Sequence, residues 1–136
     1  MLARNDAVCT VHRMKTPCEL VVGKILPALR ASVVKELSVK YDMKQSEIAK
    51  KLGITQASVS QYLSSARAGG TKVTESFPKI KTYADTISKR IVAGESRYEW
   101  SVVLCEACKD IRSDEEFCRM HRIASNLSGC DICTKN

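Results

Sequence analysis

Near the end of the sequence, side chains that bind metal ions recur at short and regular spacings. Two Cys-x2-Cys pairs and one Cys-x2-His pair fall within 29 residues, at Cys105, Cys108, Cys118, His121, Cys130 and Cys133. Two ligands separated by two residues converge on one ion with little backbone strain, and two such pairs complete the tetrahedral shell of a structural zinc ion. The intervening residues include Lys109, Asp110, Glu115 and Glu116, whose charge disfavours a purely apolar, buried role for the cysteines. The spacing predicts a small metal-binding module over residues 98–136.

Six ligands exceed the four that one zinc ion takes, so the partition stays open. One set joins Cys105, Cys108, Cys118 and His121. Another joins Cys105, Cys108, Cys130 and Cys133, and four cysteines could equally hold an iron–sulfur cluster. Zinc is the first choice, because a Cys-x2-His pair is common at zinc and rarer at a cubane cluster. A closed zinc site would hold the tail together, whereas a cluster or an incomplete site would make it a redox or metal sensor.

A second group of side chains has the chemistry needed to read base pairs. On a helix beginning after Thr55, the outward positions hold small or amide-bearing residues and no acid: Thr55, Gln56, Ala57, Ser58, Ser60, Gln61 and Ser64. Gln pairs with adenine N6 and N7 in the major groove, Ser reaches bases or phosphates, and Ala leaves room for a thymine methyl. These residues predict contact with double-stranded DNA.

The elements that position this face follow from apolar spacing in residues 44–64. Ile48, Ala49 and Leu52 mark a short helix, and Gly53 supplies the turn, where a positive φ is favoured. Thr55 can cap a second helix, whose inward side carries Val59 with Leu63 and Tyr62. The pattern predicts a helix-turn-helix with its second helix in a major groove. The predicted contacts to DNA phosphates are Lys44, Lys50, Lys51 and Arg67, and Gln45 is predicted to contact the backbone or brace a recognition-helix glutamine.

Two segments carry a family resemblance: KILPALRASVVKEL and GITQASVSQYL. Residues Thr16–Gly69 resemble the N-terminal domain of archaeal predicted transcriptional regulators with a λ-repressor-like helix-turn-helix, a domain also fused to thiamine-phosphate synthase-like domains. The resemblance implies an all-α bundle that binds DNA as a transcriptional regulator. Here a cysteine-rich tail stands in place of the synthase-like domain, so no thiamine ligand is implied. Similar tails occur in the family, which implies a purposeful module without naming its metal.

Charge and composition narrow the classes of protein. Residues 1–75 hold 12 basic and 6 acidic side chains, against 10 and 9 in residues 76–136, so the basic excess lies in the predicted DNA-binding half. Few aromatic residues disfavour single-strand binding by stacking. Neither a membrane span nor a secretory signal is recognisable, which predicts a cytoplasmic protein whose cysteines bind metal rather than form disulfides. The Cys9-x2-His12 pair is interpreted as incidental.

The whole chain is predicted to be all-α, with five consecutive regions. They are an N-terminal arm (1–15), a helix-turn-helix DNA-binding domain (16–68), a linker (69–75), an amphipathic helix (76–97) and the cysteine-rich module (98–136). Thr16 and Pro17 predict the first helix start. Pro27 indicates either a kink or, as favoured here, the start of a second helix.

The amphipathic helix leaves the oligomeric state open. Phe77, Ile80, Tyr83, Ile87 and Ile91 repeat at helical spacing. They favour a homodimer helix, because operators read by helix-turn-helix proteins are usually two-fold, although packing on the N-terminal core is the alternative. An adaptor that uses the same scaffold without reading DNA is the second functional hypothesis. An enzyme is disfavoured, because a Cys-x2-Cys pair for thiol exchange normally lies in a βαβ scaffold that is not indicated here.

Overall fold

A computed structural model describes the backbone of residues 16–68 and 70–125, and their side chains except those of 65–71 and 125. The predicted arm (1–15) and the end of the cysteine-rich module, including Cys130 and Cys133, lie outside the described residues. All regular structure in the described ranges is helical, as predicted. The helices are α1 (Pro17–Leu20), a π-helical turn (Val21–Ile25), α2 (Leu26–Val39), α3 (Gln45–Leu52), α4 (Gln56–Ala68), α5 (Gly70–Ser76), α6 (Lys79–Val92), α7 (Arg97–Arg112) and α8 (Glu115–Ser125).

The first helix begins as predicted but does not stop before Pro27. Thr16 and Glu19 form a reciprocal cap, in which the Thr16 N–H donates to Glu19 Oε2 at 2.6 Å and the Glu19 N–H to Thr16 Oγ1 at 3.3 Å. The backbone then stays helical through Pro27, because residues Val21–Ile25 adopt π-helical bonding in which the Leu26 N–H donates to the Val21 carbonyl. A proline lacks the amide donor and crowds the preceding turn, and a wider turn accommodates it. The favoured interpretation of two separate helices was therefore wrong, and residues 17–39 are continuous.

Helix α2 is the centre of the core. It packs against α4, α5 and α6. Its buried side chains include Leu29, Val33, Val34 and Leu37. The fold therefore places the predicted DNA-binding pair and the later helices on one shared scaffold.

The apolar face of α6 is used inside the chain. Phe77, Ile80, Ile87 and Ile91 are each at most 1% exposed, and Tyr83 is half-buried. This is the alternative in which the helix packs on the N-terminal core, so the predicted dimerisation face is not available to a second copy. A homodimer would need another surface.

The segment predicted as a linker is helical from Gly70 onward. In α5, Thr74 is buried and Val73 packs against the core, and the chain passes directly into the buried Phe77. Glycine at the start of a segment suggests a break locally, but burial of the apolar residues that follow stabilises a helix.

The last helices form a layer over α6. Trp100, Val103, Ala107 and Ile111 bury one face of α7, and Phe117 of α8 is fully buried against it. Gly94 makes the turn after α6 with a φ of +86°, a conformation that glycine adopts without a Cβ clash. None of the helices in the described ranges combines the length and apolar character needed to cross a membrane.

Candidate nucleic-acid interface and the cysteine-bearing helices

A three-residue turn joins α3 to α4 with the local geometry that the sequence predicts. Gly53 has a φ of +70°, and the Ile54 N–H donates to the Ala49 carbonyl at 3.0 Å, which closes the end of α3. The Thr55 hydroxyl then caps α4 by accepting from the Ser58 N–H at 3.1 Å. Both helix ends at the turn are thus satisfied, which fixes how α4 leaves α3.

The inward faces of the two helices anchor them to the core. Ile48 and Val59 are fully buried and Ala49 is 7% exposed. Tyr62 and Leu63 are half-buried and pack against the same core. The small Ala49 side chain belongs to this buried face.

The predicted base-contacting residues form the outward face of α4. Six of them are exposed: Thr55, Gln56, Ala57, Ser60, Gln61 and Ser64. Ser58 is half-buried because its hydroxyl shares a 2.8 Å hydrogen bond with Thr55 Oγ1. Ser64 donates to the Ser60 carbonyl at 3.1 Å, so its hydroxyl is partly engaged within the helix. The amides of Gln56 and Gln61 have no hydrogen-bond partner among the described residues and are the groups most available to a ligand.

The predicted backbone-contacting residues differ in their exposure. Lys44 and Lys51 are exposed, and Gln45 is half-buried at the first turn of α3. The Arg67 side chain lies outside those that the structure describes. Lys44 also starts α3, where its N–H donates to Glu47 Oε2 at 3.1 Å.

A residue that the sequence did not indicate contacts the turn itself. The guanidinium of Arg97, at the start of α7, lies so close to Gly53 that a Cβ atom there would be 2.6 Å from Nη1 and 2.7 Å from Cζ. The two residues are 44 positions apart, so no local sequence signal could have found this contact. It links the turn between α3 and α4 to the helices that carry the cysteines.

The four described metal-ligand candidates lie in pairs on two helices. Cys105 and Cys108 are one helical turn apart on α7, with Cys105 exposed and Cys108 half-buried. Cys118 and His121 are likewise one turn apart on α8, and both are buried. Within residues 16–125, outside the masked positions, no group of three His, Cys, Asp or Glu side chains is arranged to hold a metal ion.

The predicted set of Cys105, Cys108, Cys118 and His121 is therefore not assembled in this structure. The physical reason is that both pairs lie in regular helices fixed by apolar contacts, rather than in the tight loops that bring two thiolates together. The sets that include Cys130 and Cys133 involve residues outside those described, and remain predictions.

The structure instead brings Cys108 near Cys18, which the sequence analysis did not use. Both line a cavity of about 160 Å³ between α1 and α7, together with Val21, Val22, Lys109 and Arg112. Arg112 Nη1 lies 4.0 Å from Cys18 Sγ. Burial, with a smaller contribution from Cys105, raises the pKa of the Cys108 thiol above its usual value, while Arg30 and Arg112 act in the opposite direction. Cys108 therefore favours its neutral thiol form.

Comparison of the chain with protein-family models, curated proteins and solved structures finds no match.

Proposed function

We propose that this protein is a transcriptional regulator that binds double-stranded DNA in a sequence-specific manner, with α4 in the major groove. The observation that carries the proposal is the division of α4 into two faces. Val59 is fully buried and Tyr62 and Leu63 are half-buried, while Gln56, Ser60 and Gln61 are exposed. Amides and hydroxyls can hydrogen-bond to the edges of bases, and the absence of an acid avoids repulsion of the DNA phosphates.

The proposed docking is that of a λ-repressor-like helix-turn-helix. The satisfied turn at Gly53 and the Thr55 cap support it, because they hold α4 rigidly while leaving its first turn exposed. Lys44, Lys51 and Arg67 would neutralise phosphates, and Gln45 would contact the backbone or brace a recognition-helix glutamine. The basic excess of residues 1–75 lies in the part of the chain that contains α3 and α4, and it favours binding to DNA phosphates.

A homodimer remains part of the proposal, through a surface other than the buried face of α6. The cysteine-rich end is proposed to bind zinc, or an iron–sulfur cluster, through a set that includes Cys130 and Cys133. Its contact with the DNA-binding pair runs through α7, since Arg97 of that helix lies against Gly53. A change at α7 would thus reach the turn that sets the direction of α4.

The experiment is selection of bound duplexes from a random library, followed by titration of the selected and a scrambled duplex at several salt concentrations. A recurring motif and tighter binding to the selected duplex are expected, with affinity falling linearly with salt on logarithmic axes. The alternative is a protein-interaction adaptor, which would give neither a motif nor a measurable salt slope. That result would overturn the proposal.

A further inference from the structure

A cavity of about 460 Å³ opens between α3, the end of α6 and the start of α7. Its size falls within the range of about 300–1,000 Å³ typical of small-molecule sites. It lies beside the pair α3–α4, on the side where α7 approaches that pair.

Three cations line this cavity: Lys50, Lys51 and Arg97. All three are exposed, and none has an ion-pair partner among the residues that the structure describes. Three positive charges held around one space without partners favour an anionic occupant.

The two acids that line the cavity are already engaged. The Glu47 carboxylate accepts from the Lys44 N–H at 3.1 Å. Glu95 Oε2 lies 3.4 Å from Arg90 Nη1, with which it forms an ion pair. Arg90 offsets the charge of Glu95, so the three cations that line the cavity exceed the one remaining acid, Glu47, and the cavity keeps a net positive charge.

The remaining walls are apolar and rigid. Met43, Ile91 and Trp100 supply them, and Ile91 and Trp100 belong to the buried core. The Arg97 guanidinium also lies close to the backbone at Gly53. A planar guanidinium placed in this way suits the paired oxygens of a phosphate or carboxylate.

We propose that this cavity binds a small polyanion that carries two or more phosphate or carboxylate groups. The inference goes beyond the proposed function and does not depend on it, because it requires no DNA. Backbone phosphates of DNA share this chemistry, so the test separates a free polyanion from a duplex. Since Arg97 contacts the turn between α3 and α4, an occupant would act next to the proposed DNA-reading helix.

The test is a titration of the full chain with inorganic pyrophosphate at constant ionic strength. Trp100 is the single tryptophan of the sequence and lines the cavity, so its fluorescence reports binding there. Isothermal calorimetry gives a second, independent readout. A saturable change in both is expected, whereas acetate, with a single charge, should produce none at equal ionic strength.

Matched variants locate the binding. Lys50→Gln and Arg97→Gln should each weaken pyrophosphate binding about two- to fivefold. Lys35→Gln is the control, because Lys35 is an exposed lysine of α2 that does not line the cavity. It should leave the affinity unchanged. Circular dichroism of each variant confirms its folding, and Lys50→Gln removes an exposed side chain without a partner to lose.

Three results would overturn the proposal. One is the absence of saturable pyrophosphate binding by both readouts. Another is an equal loss in Lys35→Gln, which would indicate attraction to overall charge. The third is a loss of random-duplex binding alone in Lys50→Gln and Arg97→Gln, which would assign the cations to DNA phosphates. If the chain binds pyrophosphate but selects no DNA motif, this inference is supported and the proposed function is overturned.

Discussion

Arg97 lies with its guanidinium close to the backbone at Gly53, in the space that a Cβ atom would occupy. A Cβ atom at Gly53 would stand 2.6 Å from Arg97 Nη1, and the residue already has a φ of +70°. The contact joins the start of α7 to the turn between α3 and α4. The backbone conformation therefore favours glycine at this position, and a Cβ there would also displace the end of the Arg97 side chain.

Gly53→Ala should lower the free energy of unfolding by about 1–2 kcal/mol. The left-handed conformation accounts for most of this loss, because the Arg97 side chain is flexible and can move aside. Urea denaturation followed by circular dichroism measures the change.

Gly23→Ala is the matched control, for which the opposite change in stability is expected. No heavy atom lies within 4 Å of a Cβ placed at Gly23, so this helical position should gain about 0.5–1 kcal/mol. An equal loss in both variants would contradict the role assigned to Gly53.

The local part of the fold could be predicted from the sequence. The cap at Thr16, the turn at Gly53, the cap at Thr55 and the burial of Ile48 and Val59 depend on residues within a few positions of one another. Such local contacts can be predicted from the spacing of apolar residues and from the capping residues. The exposure of Gln56 follows from the same periodicity.

Contacts between distant residues could not be predicted. The approach of Arg97 to Gly53, and of Cys18 to Cys108, depends on how α7 packs on the rest of the chain. The helix at Gly70–Ser76 forms where two glycines suggested a linker, because Thr74 and Phe77 are buried by other elements. Regular spacing of Cys105 and Cys108 suggested a metal loop, but the same spacing also fits one turn of a helix.

Gln56→Ala should reduce discrimination between the selected duplex and a scrambled duplex by about 1–3 kcal/mol, because a bidentate amide contact to one base would be lost. Binding to the scrambled duplex should change little. Fluorescence anisotropy with both duplexes measures the difference. Gln61→Ala provides a comparison on the same exposed face. Equal losses on both duplexes would assign Gln56 to the backbone instead.

Lys51→Gln should weaken binding to both duplexes and lower the magnitude of the salt slope by about 1, as expected when one phosphate contact is lost. Titrations at four or more salt concentrations give the slope. Lys35→Gln is again the control and should leave it unchanged. An unchanged slope in Lys51→Gln would place this lysine solely in the wall of the cavity that it shares with Arg97.

The thiols of the native chain should react in the order of their exposure. Cys18 and Cys105 are exposed and Cys118 is 1% exposed. After treatment with a chelator, iodoacetamide should label Cys18 and Cys105 first and Cys118 only on unfolding. Cys108 should be slower than Cys105, since burial raises the pKa of its thiol and the thiolate is the nucleophile. Mass spectrometry of peptides at successive times measures each rate. Early labelling of Cys118 would contradict the packing of α8.

Asp110 joins α7 to α6 and should make part of the stability depend on pH. Lys79 Nζ lies 2.9 Å from Asp110 Oδ1, and Tyr83 Oη donates to Oδ2 at 2.8 Å. These hydrogen bonds, that of Lys79 first, lower the pKa of Asp110 in the folded chain. Because the pKa of Asp110 is lower in the folded chain, its stabilising effect is complete above the pKa of the unfolded chain, about 3.9. The effect disappears as the pH falls through the pKa of the folded chain.

Asp110→Asn should therefore destabilise the protein at pH 7 and have little effect near pH 2. The loss should stay at or below about 1 kcal/mol, because the Asp110 side chain is 40% exposed and its ion pair is screened by solvent.

Tyr83 supplies the complementary test at high pH. Burial, followed by the Asp110 hydrogen bond, raises its pKa to about 12, so its contribution is complete below pH 10 and is lost as the pH rises through 12. Tyr83→Phe should remove that alkaline dependence. Unfolding curves across both pH ranges measure these effects, and a loss in Asp110→Asn that is independent of pH would assign Asp110 a role in packing rather than charge.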